Sequence, residues 1–193
     1  MEHLQSFSGL NIFFYIANLL WVFEFVFFRN KSRKGRYQDR SSFYGIVFTI
    51  GLTIAGSIWF NREGLGNWAS LEIYPLFQWI AIVLYLLGLA LRYFSSRLLG
   101  RHFTRHVNVD TSMELVSKGP YRYLRHPLYL GLFLLTIAFP IYLGNILALS
   151  LFAPLVFVAL LLRMVSEEKA LERHIPSYKE WKKRRYRFIP FLF

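Results

Sequence analysis

Two apolar runs joined by a turn decide the fold of this chain. Residues 128–162 read LYLGLFLLTIAFPIYLGNILALSLFAPLVFVALLL, without a charged side chain. Each run approaches the length at which a helix, rising about 1.5 Å per residue, crosses about 30 Å of hydrocarbon. Gly144 and Asn145 leave room only for a tight turn between the runs. The stretch therefore predicts an antiparallel pair of membrane helices.

Three further apolar segments precede this hairpin. Hydrophobic residues make up 55% of the 193-residue chain and charged residues 18%, which is more apolar than a soluble domain usually is. We predict an all-α integral membrane protein of a single membrane domain with five transmembrane helices, three of them within residues 1–98 and two within residues 99–193. The five segments are Leu10–Phe28, Phe43–Phe60, Pro75–Phe94, Leu128–Leu143 and Ile146–Leu162.

Nearly all of the basic residues lie in alternate connections, and therefore on one side of these segments. They are concentrated between the first and second segments, between the third and fourth, and after the fifth, whereas the opposite side carries Arg62 with the acids Glu2, Glu63 and Glu72. This is the positive-inside pattern, and it predicts an external N-terminus and a cytoplasmic C-terminus. The net charge of +12 therefore indicates contact with anionic membrane lipid rather than with nucleic acid.

Several classes of site are not predicted. The chain has no cysteine and no Gly-x-Gly-x-x-Gly motif, so thiolate metal sites and a Rossmann nucleotide site are excluded. His102 and His106 are four residues apart but have no third ligand nearby, which favours a surface pair and predicts no metal site. Glu24, inside the first segment, is interpreted as a structural carboxylate.

Two polar stretches on the predicted cytoplasmic side, residues 96–127 and the tail from Ser166, are longer than a connection requires. His126 precedes Pro127, so it should be extended and should begin a helix whose free N–H groups can bind an anion. The rings of Tyr121, Tyr123 and Tyr129 offer faces for a planar group or a sulfonium cation. The alternative is an interfacial turn rich in arginine and tyrosine.

After the fifth segment, Arg163 and Glu167 are four residues apart and therefore share one helical face. One interpretation is a local ion pair, worth only about 0.3–0.5 kcal/mol. The other is a site in which Glu167 accepts hydrogen bonds from a cofactor and Arg163 holds an anionic substrate group.

These two stretches resemble the isoprenylcysteine carboxyl methyltransferase family and the related phospholipid methyltransferases, as a short member of the bacterial or archaeal type. The resemblance covers the C-terminal half, from about Leu99. Two positions differ from the family pattern: Met113 stands where the family often has histidine, and His174-Ile175-Pro176 replaces a Phe-Gly pair. The matching residues are Leu115-Val116, GPYRYLRHPLYLG at 119–131, Arg163-x-x-x-Glu167-Glu168, Tyr178 and the basic tail to Pro190.

The resemblance implies a membrane-embedded methyltransferase that uses S-adenosylmethionine and a lipophilic or lipid-modified acceptor, such as an isoprenylcysteine-type carboxylate. It implies a cytoplasmic cofactor pocket between the loop before the fourth segment and the tail. It also implies that Arg163 binds the acceptor and that Arg163 and Glu167 are catalytic. The implied cofactor-binding residues are Leu115, Val116, Tyr121, His126, Pro127, Tyr129 and Glu167.

The type of acceptor stays open at this point. A carboxylate needs no general base, whereas a phenol, thiol or amine needs one, and Glu167, Glu168 and His126 are the near candidates. Two other functions compete. A sterol-type membrane reductase would hold the 2′-phosphate of NADPH with Arg122 and Arg125, and a non-catalytic membrane scaffold would bind neither cofactor.

Overall fold

The structure is a computed structural model that describes residues 12, 14, 16–18, 20–21, 38–39, 41–100, 107–108 and 115–190. A pair of two-residue antiparallel strands accompanies the helices: β1 is Gln38–Asp39 and β2 is Val107–Asn108. The helices are α1 (Ser41–Arg62), α2 (Tyr74–Leu99), α3 (Pro127–Tyr142), α4 (Ile146–His174) and α5 (Tyr178–Lys183), and a 3-10 turn spans Gly119–Arg122.

Within the described residues, three helices are long and apolar enough to cross a membrane. They are α2 with 26 residues, α4 with 29, and the 19 residues Tyr44–Arg62 of α1; α3 is apolar but shorter, with 16 residues. These helices agree with the predicted all-α membrane protein. The predicted first segment is described only at seven helical residues between 12 and 21, and Glu24 lies outside the described residues.

The predicted hairpin is formed by α3 and α4. Gly144 adopts a positive φ of 67° in the turn, and a Cβ atom there would meet the rings of Tyr74 and Trp68. The side chain of Asn145 accepts from the backbone N–H of Ala148 at 2.8 Å and so caps the start of α4. Gly144 therefore supplies the backbone freedom that the turn requires, and Asn145 supplies the cap of α4.

Helix α4 continues well beyond its apolar part. The predicted segment ends at Leu162 and the predicted polar tail begins at Ser166, but the helix runs on to His174. Good helix formers fill the extension, and it ends close before Pro176, which disfavours helix in the residue before it. The apolar content that identifies a membrane segment therefore ends before the helix does.

Helix α3 packs closely against α2 through two glycines. A Cβ atom on Gly131 would lie 2.8 Å from the carbonyl oxygen of Gly88 and 2.7 Å from Cγ of Arg92. The other flank of α3 packs against α4, where Leu132, Leu160 and Met164 share a buried cluster with Phe188 of the tail. The start of α3 is thus held between α2, α4 and the tail.

Candidate functional site

The hydroxyl of Tyr129 joins the two charged residues that the sequence analysis placed on one face of α4. It donates to Oε2 of Glu167 at 2.6 Å, and Nε of Arg163 donates to it at 3.1 Å. The antiparallel hairpin brings the first turn of α3 beside the second half of α4, which explains the contact. Arg163 is only 2% exposed. The pair is therefore part of a buried network between two helices and not merely a surface ion pair.

Glu168, the next residue along α4, forms a second centre. Nε2 of His126 lies 3.1 Å from its Oε1, Arg125 donates to Oε1 at 3.3 Å, and Arg187 donates to Oε2 at 3.0 Å. Burial favours a raised pKa, but the hydrogen bonds and charges of His126 and Arg187 lower the pKa of Glu168 to about 2. This carboxylate, beyond the apolar part of α4, stays ionised at neutral pH.

The tail runs beside the residues that precede α3. The N–H of Tyr186 donates to the carbonyl oxygen of Tyr123 at 2.9 Å, and the N–H of Arg125 donates to that of Tyr186 at 2.8 Å. The N–H of His126 donates to the carbonyl oxygen of Arg187 at 3.2 Å. The two polar stretches therefore meet, and the strand-like pairing fixes the backbone on both sides of His126.

Tyr121 lies in the 3-10 turn with 6% of its surface exposed. Burial raises the pKa of the Tyr121 hydroxyl well above its ordinary value; the negative charge of Glu167 and the neighbouring Tyr129 raise it further, and Arg92 opposes them. Tyr121 therefore stays a neutral hydroxyl within electrostatic reach of the site. Arg185 of the tail donates to its carbonyl oxygen at 2.8 Å and holds the turn in place.

Leu115 and Val116 lie on the side of α5. Leu115 packs against the buried cluster that contains Tyr178, while Val116 is half-buried. Trp181 stacks on Tyr178 with ring centroids 5.5 Å apart, and its Nε1 donates to Oγ of Ser117 at 2.9 Å. The stacked rings of Tyr178 and Trp181 therefore lie next to the Leu115-Val116 pair.

The comparison with known proteins follows the same part of the chain. Residues 79–173 match the isoprenylcysteine carboxyl methyltransferase (ICMT) family. The resemblance seen in the sequence is thereby confirmed for this range, which includes Tyr129, Arg163, Glu167 and Glu168. The matched range also contains most of the apolar helices α2, α3 and α4.

A relative in Bacillus subtilis (strain 168), the uncharacterized protein YpbQ, is 30% identical over 101 residues. The aligned part is 52% of this chain and 60% of YpbQ, so the chain matches less than two thirds of that relative's length. The family match itself ends at Arg173. The contacts made by Tyr178, Trp181 and Arg187 therefore lie beyond the matched range.

The predicted site residues divide into two groups. Tyr121, His126, Pro127, Tyr129, Arg163 and Glu167 surround the start of α3, whereas Leu115 and Val116 lie toward α5. That these residues bind a cofactor stays a prediction. Met113, His102 and His106 lie outside the described residues. In the described ranges, no group of three histidine, aspartate or glutamate side chains is placed to hold a metal ion.

The cluster of Arg125, Glu168 and Arg187 was not predicted. From the sequence, Glu168 is a candidate base within the family motif, Arg125 a candidate for the phosphate of NADPH, and Arg187 part of a basic tail. A signal was available in the Glu167-Glu168 doublet, because neighbouring residues on a helix do not face the same way. The second carboxylate therefore needed partners other than Tyr129 and Arg163.

Proposed function

We propose that this protein is a multi-pass membrane methyltransferase that transfers a methyl group from S-adenosylmethionine to a lipophilic acceptor on the cytoplasmic side. The observation that carries the proposal is the network in which Tyr129 joins Arg163 to Glu167. It places a buried cation and a carboxylate at one point, where a membrane helix passes into its polar extension. The match to the ICMT family supports the same conclusion.

The donor set fits this cofactor. The carboxylate of Glu167 can accept hydrogen bonds from an amino group or a ribose, and the ring of Tyr129 offers a face to a sulfonium. Pro127 starts α3 and has no N–H of its own, so Leu128 presents the first free N–H to an anion. The residues that would hold the cofactor are Leu115, Val116, Tyr121, His126, Pro127, Tyr129 and Glu167.

When bound, S-adenosylmethionine supplies an electrophilic methyl carbon on a sulfonium. The protein has then to position the acceptor in line with that carbon and to exclude water. Arg163 is suited to orient an acidic acceptor, because Tyr129 fixes its guanidinium at Nε and burial strengthens its interactions. Holding the two reactants in this way accounts for most of what the transfer requires.

The three candidate bases differ in how readily they can accept a proton. Glu168, with a pKa of about 2 and three basic partners, is a weak base. His126 is engaged with Glu168. Glu167 is therefore the candidate base for a phenol, thiol or amine acceptor, with Tyr129 as its hydrogen-bond donor. A carboxylate acceptor requires no base, and in that case Glu167 only binds the cofactor.

The tail completes the proposed pocket. The contacts of Arg187 with Glu168 and of Arg185 with Tyr121 fasten it over the start of α3. With five spans and the basic stretches inside, this side faces the cytoplasm, where the polar cofactor is available. The acceptor would then reach the site from the membrane.

The deciding experiment is a thermal shift of the purified protein with S-adenosylhomocysteine or NADPH. We expect the former to raise the melting temperature and NADPH to leave it unchanged. The shift should be lost in Glu167→Gln and kept in Glu63→Gln, a control at the opposite end of the molecule. A shift with NADPH alone would indicate a reductase, and no shift with either compound would indicate a scaffold. Radiolabelled methyl donor with a lipid extract then identifies the product.

A further inference from the structure

A basic and aromatic surface lies where the C-terminal tail runs beside the residues that precede α3. Its exposed side chains, called the tail patch below, are Arg122, Tyr123, Arg184, Tyr186 and Ile189. The N–H of Tyr186 donates to the carbonyl oxygen of Tyr123 at 2.9 Å. Both arginines lie within two residues of this hydrogen bond. The part of the patch from the tail and the part before α3 therefore adjoin.

The depth of the tail patch in the membrane follows from Phe188. This side chain is fully buried, and its ring centroid lies 5.7 Å from those of Phe133 in α3 and Phe157 in α4. Both of these partners belong to the charge-free stretch 128–162. The tail therefore reaches the apolar part of the hairpin at Phe188. The exposed residues on either side of it lie at the boundary between hydrocarbon and headgroups, where tyrosine is favoured.

The tail carries an excess of positive charge at this boundary. Residues 178–193 contain six basic side chains and one acidic one. Three of the bases contact acids: Lys182, Lys183 and Arg187. Burial and the neighbouring charge of Arg184 lower the pKa of Arg185 below its ordinary value, which indicates that the two cations repel each other. An anion placed beside Arg184 would relieve this repulsion.

A phosphodiester fits the side chains of the tail patch. Arginine binds phosphate oxygens through its planar fork of N–H groups, and the Arg122 guanidinium is held 5.6 Å from the centre of the Tyr123 ring. The hydroxyls of Tyr123 and Tyr186 can donate to headgroup oxygens. Ile189 offers apolar surface to an acyl chain. Acidic peptides and nucleic acids carry the same charge, but the depth set by Phe188 favours a lipid.

We propose that the tail patch binds the headgroup of one anionic glycerophospholipid, with Arg122 and Arg184 on either side of its phosphate. A single phosphate then bridges the tail and the segment before α3, and it adds to the contacts that hold the tail in place. Zwitterionic lipids bind less tightly, because their headgroups add a positive charge. The site does not use the network of Tyr129, Arg163 and Glu167, so the inference stands apart from the function proposed above.

Titration of the purified protein with phosphatidylglycerol or phosphatidylcholine, read by native mass spectrometry, tests the preference. We expect tighter binding of phosphatidylglycerol. Arg122→Gln combined with Arg184→Gln should weaken that binding on the order of 10-fold, because two charges near the headgroup are lost. The matched control, Arg173→Gln combined with Lys179→Gln, removes two exposed bases outside the patch and should leave the affinity unchanged. Equal affinities for the two lipids, or an equal loss in both double variants, would overturn the proposal.

A spin label tests the depth of the patch and the bridge. The chain contains no cysteine, so Ile189→Cys carries a single nitroxide. In nanodiscs this label should be accessible to oxygen, which dissolves in lipid, and protected from a water-soluble nickel complex. Glu180→Cys, exposed on α5, should show the reverse. Equal access of nickel to both labels would overturn the membrane site and indicate a soluble acidic partner.

The same label reports whether the lipid fastens the tail. Adding phosphatidylglycerol to phosphatidylcholine nanodiscs should lower the mobility of the nitroxide at position 189. The effect should disappear when Arg122→Gln and Arg184→Gln are both introduced into the labelled protein. Mobility that does not respond to phosphatidylglycerol in the protein with both arginines would overturn the bridge.

Discussion

The guanidinium of Arg187 lies 3.0 Å from the carboxylate of Glu168, and this ion pair fastens the C-terminal tail to α4. Arg125 and His126 contact the same carboxylate from the residues before α3. One buried acid thus holds together three parts of the chain that are far apart in sequence. Its removal should affect the tail before it affects the membrane helices.

Glu168→Gln should loosen the tail. The substitution removes the negative charge that Arg125 and Arg187 contact, and breaking a buried ion pair from one side costs on the order of 3 kcal/mol. We expect faster trypsin cleavage within residues 179–187 and a lower melting temperature. The control is Glu180→Gln, whose exposed pair with Lys183 should contribute little. Equal cleavage rates in the two variants would contradict the role assigned to Glu168.

The same carboxylate predicts how stability depends on pH. The pKa of Glu168 is about 2 in the folded protein, below the value of about 4.3 for an unperturbed glutamate. Its stabilising contribution is therefore complete above about pH 4.3 and is lost as the pH falls toward 2. The melting temperature of the parent protein should fall more steeply between pH 5 and pH 3 than that of Glu168→Gln. Parallel curves would show that another group governs acid unfolding.

Tyr129→Phe should impair methyl transfer. The change removes the hydroxyl that joins Arg163 to Glu167 and leaves buried charged groups short of a hydrogen bond, which costs about 1.5–3 kcal/mol. If the network positions the reactants, kcat/KM with the labelled methyl donor should fall about 10- to 100-fold. Tyr123→Phe is the matched control, because this tyrosine belongs to the same motif but is exposed. A similar rate in both variants would separate the network from the reaction.

Gly131→Ala should weaken the packing of α2 on α3. The added Cβ atom would lie 2.8 Å from the carbonyl oxygen of Gly88, which is backbone and cannot turn away. We expect a loss of about 1–3 kcal/mol in stability, read as a lower melting temperature. Gly51→Ala is the control: nothing lies within 4 Å of its Cβ position in α1, so better helix propensity should stabilise it slightly. The opposite order would argue against the close helix contact.

The sequence predicted the hairpin well, because Gly144 and Asn145 act locally. One residue supplies a positive φ and the other a side-chain cap, and both needs can be read from neighbouring residues. The contact of Tyr129 with Glu167 also follows from the hairpin, because antiparallel packing brings the start of α3 beside this part of α4. The family resemblance pointed to the same pair.

Other features depend on distances that no sequence pattern encodes. Arg187 reaches Glu168 only because the tail turns back along residues 123–126, which involves backbone hydrogen bonds rather than side-chain type. The contact of α2 with α3 depends on how closely Gly88 and Gly131 let the two helices approach. The extension of α4 to His174 escaped prediction because hydropathy marks where a helix leaves the membrane and not where it ends.

The unbroken course of α4 has a mechanical consequence. Its 29 residues span about 43 Å, so a helix that crosses about 30 Å of hydrocarbon carries Arg163, Glu167 and Glu168 on one continuous element. A thinner or thicker bilayer changes the tilt of such a helix and shifts its polar end relative to the lipid headgroups. The proposed reaction centre would then respond to bilayer thickness, and lipids of different chain length would change its turnover without contacting it.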